Sequence, residues 1–216
     1  MSSPLARPLK FASLLDGAGI DRKQPSWYSK DQVIFSKGDC NDALFYIESG
    51  SIKLAAGSPH GKEAIIGLLD GGDFFGEGCI AAALPVRAYT AIALTDTCIH
   101  RIPRTAIVHV LRSEGDLSFM FISYLLEGMA RVQADLASNL VNSSEQRLAR
   151  LLISLSTFRG RSNLAFPVSQ QTLAEMIGTT RQRVNLLMGR FRKLGFIEDA
   201  AGTKVHRSMR KIAPED

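Results

Sequence analysis

The 216-residue sequence predicts an α+β fold. Three observations carry that prediction. Between residues 30 and 103, β-rich runs of four to eight residues recur at roughly ten-residue spacing, separated by Gly- and Asp-containing turns, as in a sandwich or barrel. From Asp116 to Asn142 there is no Pro and one Gly, and apolar residues fall at alternating steps of three and four. From residue 144 on, short helices, a Gly turn and a closing hairpin follow one another in a basic segment.

The strand-forming runs are "DQVIFSKGD", "ALFYIESGSIKLAAGSP", "EAIIGLLDGGDFFGEG" and "AYTAIALTDTCIHRIP". Turns fall at Lys37-Gly38-Asp39, Glu48-Ser49-Gly50, Ser58-Pro59 and Asp70-Gly71-Gly72-Asp73. The first 25 residues predict only a short helix around Leu9–Leu15.

The next segment predicts one helix of about 25 residues, near 40 Å long at 1.5 Å per residue. Ile122, Leu125, Met129, Val132, Leu136 and Asn139 form its a/d seam. A small β-barrel cannot cover so long a seam, so a parallel coiled-coil dimer is expected, with Asn139 as the polar position that fixes register. The plainer alternative is a helix packed along its own domain.

"NSSEQRLARLLISLSTFRG" begins the last part, with Ser143 or Ser144 as N-cap and Leu148, Leu151, Leu152 and Leu155 on one face. "GRSNLAFPV" reads as a turn and an extended piece. "SQQTLAEMI" is a short helix capped by Ser169 and ended by Gly178, and Thr179-x-x-Gln182 offers a capping box for a further helix to about Leu194. "FIEDAAGTKVHR" has the form of two strands around Ala201-Gly202.

Charge supplies the functional signal. Residues 1–143 hold 13 Lys/Arg against 15 Asp/Glu, net −2, whereas residues 144–216 hold 13 against 6, net +7. A basic module on an acidic chain predicts a polyanionic partner. Two helices joined by a Gly turn, the second basic at its start, form a helix-turn-helix with a β wing. Ala174 lets the helices approach, and Leu173, Ile177, Val184 and Leu187 fill their core. Arg181, Gln182 and Asn185 are left outward as base contacts in a major groove of double-stranded DNA, where Arg suits guanine and the amides adenine. Ser169, Gln171, Thr180 and Arg183 are placed for phosphates. Gln182 has a plainer use as the capping-box acceptor.

In these residues the chain resembles the Crp–Fnr family of transcription regulators, the family of the catabolite activator protein. The resemblance covers about residues 25 to 210. It rests on "FSKGDCNDALFYIESGSIKL", "GDFFGEG", "RAYTAIALTDTCIHRIPR" and "VSQQTLAEMIGTTRQRVNLLMGRFRKLGFIE". It implies an N-terminal β-roll or jelly-roll sensor domain over residues 1–115, a dimerisation helix over 116–143, and a C-terminal winged helix-turn-helix DNA-binding domain over 144–216. It implies a homodimer reading palindromic promoter sites, with RNA polymerase as a further partner at the loop 157–163; the dispersed cysteines and the N-terminus separately predict a cytoplasmic protein.

The resemblance also places an effector such as cyclic AMP. Gly76-Glu77 stand where nucleotide-binding members hold the ribose, and Arg87 where they pair with the cyclic phosphate. Ala88 replaces a small hydroxyl residue, and no Thr-Ser adenine reader is present near Val132, Gln133 and Ala134. Glu77 and Arg87 have a plainer reading as an internal ion pair. The family's Arg-Glu-x-x-x-Arg reader stands here as Arg181, Gln182 and Leu186, so a shifted half-site is expected. The alternative is a regulator independent of cyclic AMP that answers to redox state, a haem-bound gas or its own abundance. His60 and Cys79 are the candidate haem ligands and Cys40 the oxidisable thiol, although Asp39 and Asp42 beside Cys40 disfavour its thiolate.

Other classes find little support. The three cysteines are dispersed, which predicts reduced thiols and no zinc site. No apolar run approaches a membrane span, and the N-terminus lacks the apolar stretch of a signal peptide. No Ser-His-Asp set, paired carboxylates or metal spacing supports an enzyme.

Overall fold

Along β3 (Ala43–Ser49), successive side chains serve two different cores, because neighbours on a strand point to opposite faces. Ala43, Phe45 and Ile47 join Phe35, Ile52, Phe75, Ala91 and Ile99 in one buried cluster, and Leu44 and Tyr46 join Phe74, Ile102, Ile107, Val110, Leu117 and Phe121 in the other. The first cluster draws on strands of two antiparallel four-stranded sheets. One runs β1 (Ser26–Tyr28), β8 (Thr97–Pro103), β3, β6 (Phe74–Phe75); the other runs β2 (Val33–Phe35), β7 (Thr90–Ala93), β4 (Ser51–Gly57), β5 (Glu63–Asp70). Phe45 stacks on Phe75 with centroids 5.0 Å apart, and Phe35 lies 5.6 and 5.8 Å from them. The computed structural model describes residues 25–57, 63–81, 83–157, 163–164, 169–199 and 203–213. The helix expected at Leu9–Leu15, the Ser58-Pro59 turn, His60, loop residues 158–162 and Ala201-Gly202 lie outside them.

The chain divides into two compact units, Met1–Gly128 and Met129–Asp216. In the first, the second cluster is closed by α1 (Arg104–Ser113) and the start of α2 (Gly115–Val141). Tyr124 ties α2 to β6, donating to the Phe74 carbonyl at 2.9 Å and accepting from its N–H at 3.0 Å. Sequence reading assigns no helix to residues 104–113. "RTAIVHVLRS" is rich in β-branched residues, and burial of Ile107 and Val110 outweighs that local preference.

Among the described residues, nothing covers the seam of α2. Leu125 is 38% exposed and Val132 62%, with Ile122, Met129 and Leu136 between, and Asn139 is exposed on the same helix. The apolar face is wider than the heptad reading predicts, since Phe119, Leu126 and Leu140 add a second exposed row seven residues apart or a multiple of seven.

In the second unit, α3 (Ser144–Thr157) opens with a capping box: Gln146 N–H donates to Ser143 Oγ at 3.3 Å, and Ser143 N–H to Gln146 Oε1 at 3.0 Å. Ser143 is therefore the cap. Leu148 and Leu152 are fully buried, with Leu151 and Leu155 packed at the edge. Then come β9 (Asn163–Leu164), α4 (Gln170–Met176), α5 (Arg181–Lys193), β10 (Ile197–Asp199), β11 (Thr203–Val205) and a 3-10 turn at Arg207–Lys211. The hairpin expected at the end gains β9 as a third strand, in the order β10-β11-β9.

Candidate nucleic-acid interface and sensor site

Ser169 caps α4, its Oγ accepting from Thr172 N–H at 3.0 Å. Gly178 then turns the chain at φ 63°, a conformation costly for any residue with a Cβ, and Thr179 N–H reaches back to the Ala174 carbonyl at 2.9 Å. Thr180 caps α5 by accepting from Arg183 N–H at 3.2 Å. This corrects the expected Thr179–Gln182 box by one residue: Thr180 has the extended backbone an N-cap requires, so Gln182 lies inside the first turn and outside any cap. A cap of this kind contributes about 1 kcal/mol.

Leu173, Ala174, Ile177, Val184 and Leu187 form the shared core as expected, joined by Met188 and Phe191. Their burial leaves one face of α5 outward. Arg181, Gln182, Asn185 and Leu186 are all exposed there. Gln170, which sequence reading passed over, lies beside this face, its Nε2 3.5 Å from Asn185 Oδ1. Among the expected phosphate contacts, Ser169, Gln171 and Thr180 are exposed, although Gln171 Nε2 donates to Glu175 Oε1 at 2.8 Å. Arg183 donates through Nε to Ser144 Oγ at 3.3 Å, and Arg190 pairs with Glu145 at 3.0 Å. Both partners belong to α3, 39 and 45 residues away, which no local pattern reveals.

In the first unit, Gly76 opens a 3-10 turn (Glu77–Ile80) at φ 80°, and a Cβ there would fall 2.5 Å from Arg87 Nη1. Only glycine admits that approach. Arg87 itself is 4% exposed. Its Nη2 donates to the Ala43 carbonyl at 2.7 Å and its Nη1 to the Gly76 carbonyl at 3.3 Å, while the guanidinium lies 4.4 Å above the Phe35 ring and 5.1 Å from the Phe45 ring. Cation–π contacts of this buried kind contribute about 2 kcal/mol. Arg87 Nε is buried and has no hydrogen-bond partner among the described residues. No hydrogen bond or ion pair joins Glu77 to Arg87 among the described residues, so the plainer ion-pair reading is replaced by a guanidinium held on carbonyls and rings. Burial, reinforced by Asp73, pushes the Glu77 carboxyl above its ordinary 4.5, and its own backbone N–H and Arg87 oppose this only in part.

These groups fit an anion incompletely. Arg87 keeps an orphaned Nε–H and two further N–H groups, but Gly76 N–H is taken by Tyr89 Oη at 3.1 Å and Ala88 has no hydroxyl. Cys79 is buried and its thiol is pushed up to about 11, chiefly by burial, so it stands here as a protonated thiol at neutral pH. Cys40 is exposed and free. Cys98, which sequence reading left without a role, donates to Glu48 Oε2 at 3.2 Å, and His100 Nε2 contacts the same oxygen at 3.0 Å. No helix among the described residues is long and apolar enough to cross a membrane.

Residues 25–114 match the cyclic nucleotide-binding domain family, and residues 146–209 match the Crp-like helix-turn-helix domain. The CRP-like cAMP-activated global transcriptional regulator of Mycobacterium tuberculosis is 24% identical over 179 residues, covering 81% of this chain and 80% of its own. The anaerobic regulatory protein of Bacillus subtilis is 25% identical over 189 residues, covering 85% and 78%. FixK2 from Bradyrhizobium japonicum shares the fold, with a TM-score of 0.79 at 15% identity, over 89% of this chain and 98% of its own.

Proposed function

We propose, for a chain that belongs to the Crp/Fnr family of transcription regulators, a homodimer that reads a two-fold DNA site through α5 and answers to a small effector in the β-roll. The observation that carries this is the outward face of α5. A helix capped by Thr180 and buried on its Val184, Leu187 and Phe191 side presents Arg181, Gln182 and Asn185 together, unobstructed, in its first two turns. A major groove accepts that face of a helix. Arg181 donates to guanine O6 and N7, and Gln182 and Asn185 bond base edges. Ser169, Gln171 and Thr180 hold phosphates, with Arg183 joining them through its terminal nitrogens. The bare seam Ile122, Leu125, Met129, Val132, Leu136 and Asn139 supports the dimer, because two such faces cover each other.

Effector control follows as a population shift: a ligand that binds one arrangement of the dimer more tightly favours the DNA affinity of that arrangement. Arg87 is the phosphate contact, with Gly76 and Glu77 beside it. Ala88 and the carbonyl partners of Arg87 favour a second reading, a regulator indifferent to cyclic AMP that answers to another signal or to its own abundance. The regulators similar to this chain have names pointing to different signals, cyclic AMP in one and anaerobiosis in another.

Selection from random duplex DNA, with and without cyclic AMP, tests both readings. A palindrome enriched only with the nucleotide supports the effector site. The same palindrome enriched equally in both supports the second reading. Enrichment of no palindrome in either arm points first to a required effector other than cyclic AMP and counts against the reading of Arg181 and Gln182.

A further inference from the structure

Only Asn142 and Ser143 separate α2 from α3. Two residues carry four free backbone dihedrals, enough to let one helix swing against the other unless something spans the gap. Arg147 spans it. Its Nη1 donates to the Asn139 carbonyl at 2.9 Å and to the Asn142 carbonyl at 3.2 Å, so one guanidinium from α3 is bound to the last turn of α2. Those carbonyls are acceptors that a helix C-terminus leaves unpaired, and a cation complements the dipole there. Asn142 stiffens the same turn, with Nδ2 donating to Ser138 Oγ at 3.0 Å and its N–H to the Ser138 carbonyl at 3.0 Å.

The same first turn of α3 also holds α5. Ser144 Oγ accepts from Arg183 Nε at 3.3 Å, and Glu145 Oε2 accepts from Arg190 Nη1 at 3.0 Å. Arg183 and Arg190 are seven residues apart, two turns along one face of α5, so two contacts align the whole helix. A single turn of chain is thus bonded on one side to the end of α2 and on the other to the recognition helix. Arg147 Nε is buried with no hydrogen-bond partner among the described residues, so the clamp rests on Nη1 alone.

We infer that this turn is a coupling node, in which Arg147, Ser144 and Glu145 set the direction of α5 from the end of α2 and thereby the spacing of half-sites that the dimer accepts. The inference rests on the dimeric DNA-reading proposed above and adds the residues that transmit it. Arg147 and Arg190 are positioning residues: they touch neither base nor effector.

The test is half-site spacing in the full-length protein, which a role in stability alone does not move. Palindromes carrying the selected half-site are offered with the preferred spacer and with spacers one base pair longer and shorter. Wild type is expected to discriminate by about tenfold, the scale of one mismatched position. In Arg147→Met, which keeps the stem and removes the carbonyl contacts, the ratio falls towards one while the half-site letters stay the same; Arg147→Lys restores part of it. Glu145→Gln, which leaves Arg147 in place and loosens Arg190, also broadens the spacing, and it decides the matter if circular dichroism shows Arg147→Met unfolded. A wild-type spacing ratio in the folded variants overturns the node. So does a loss equal at all three spacings. If wild type enriches no two-fold site, the dimeric reading fails first and the node with it, a result distinct from enrichment with unaltered spacing.

Discussion

At the scale of single residues, the proposed reading of DNA rests most on Arg181. It is exposed at the first position of α5, where its fork can meet two acceptors of one guanine. Arg181→Ala is expected to cost about 1–3 kcal/mol of binding and to relax the preference at one base pair. Competition against singly substituted sites measures this; a loss equal for all sequences makes Arg181 a phosphate contact. Glu77 carries a different prediction. Its carboxyl is raised above 4.5 in the folded protein, chiefly by burial. The folded state therefore holds the proton more tightly than the unfolded chain, so the stability linked to it is complete below the unfolded value and is lost as pH rises through the folded one. Glu77→Gln, which cannot ionise, should melt higher than wild type at neutral pH and lose that advantage in acid. Calorimetry that gives the same difference at both pH values sinks this account. Thr180 marks where residue-level reading stops: two adjacent threonines have the same capping preference, and only backbone geometry separates them.

At the scale of elements, periodicity was legible and tertiary rescue was not. The α2 seam, the Ser169 cap, the Gly178 turn and most strands are written in local pattern, because steps of three and four, cap residues and turn glycines act within a few positions. α1 was hidden, since its Ile107 and Val110 are helical only through what they pack against. β1 was hidden too: it has three residues, two of them exposed, and is held by its pairing with β8 and by Tyr28 packing on the core. The partners of Arg147, Arg183 and Arg190 were hidden for a third reason, as two of the three contacts join residues far apart in sequence. For α2 the exposed face yields a direct prediction. Val132→Glu places like charges against each other across the proposed seam, and sedimentation should show the dimer shifted to monomer at micromolar concentration, with the monomer still folded. A dimer that survives places the interface elsewhere.

For the whole molecule, the charge asymmetry decides what kind of binding to expect. The last 73 residues carry net +7 on a chain whose remainder is net −2, so the polyanion is attracted at one end. Some of that positive charge is internal to the module, since Arg190 faces Glu145 and Arg147 is turned to carbonyls. The count of cations free to displace counterions is therefore smaller than the net charge. With one cation per subunit assigned to phosphate, Arg183, a dimer neutralises two phosphates, and log K should fall against log salt with a slope of about −1.8. The Val132→Glu monomer, with one recognition helix, should fall with about half that slope. Titrations of a fluorescent duplex at several salt concentrations, on wild type and variant side by side, measure both. Equal slopes would mean that a single subunit makes all the phosphate contacts, and the two-fold reading of the site would go with them. A slope near zero in wild type would remove the counterion-releasing contacts assigned to the module.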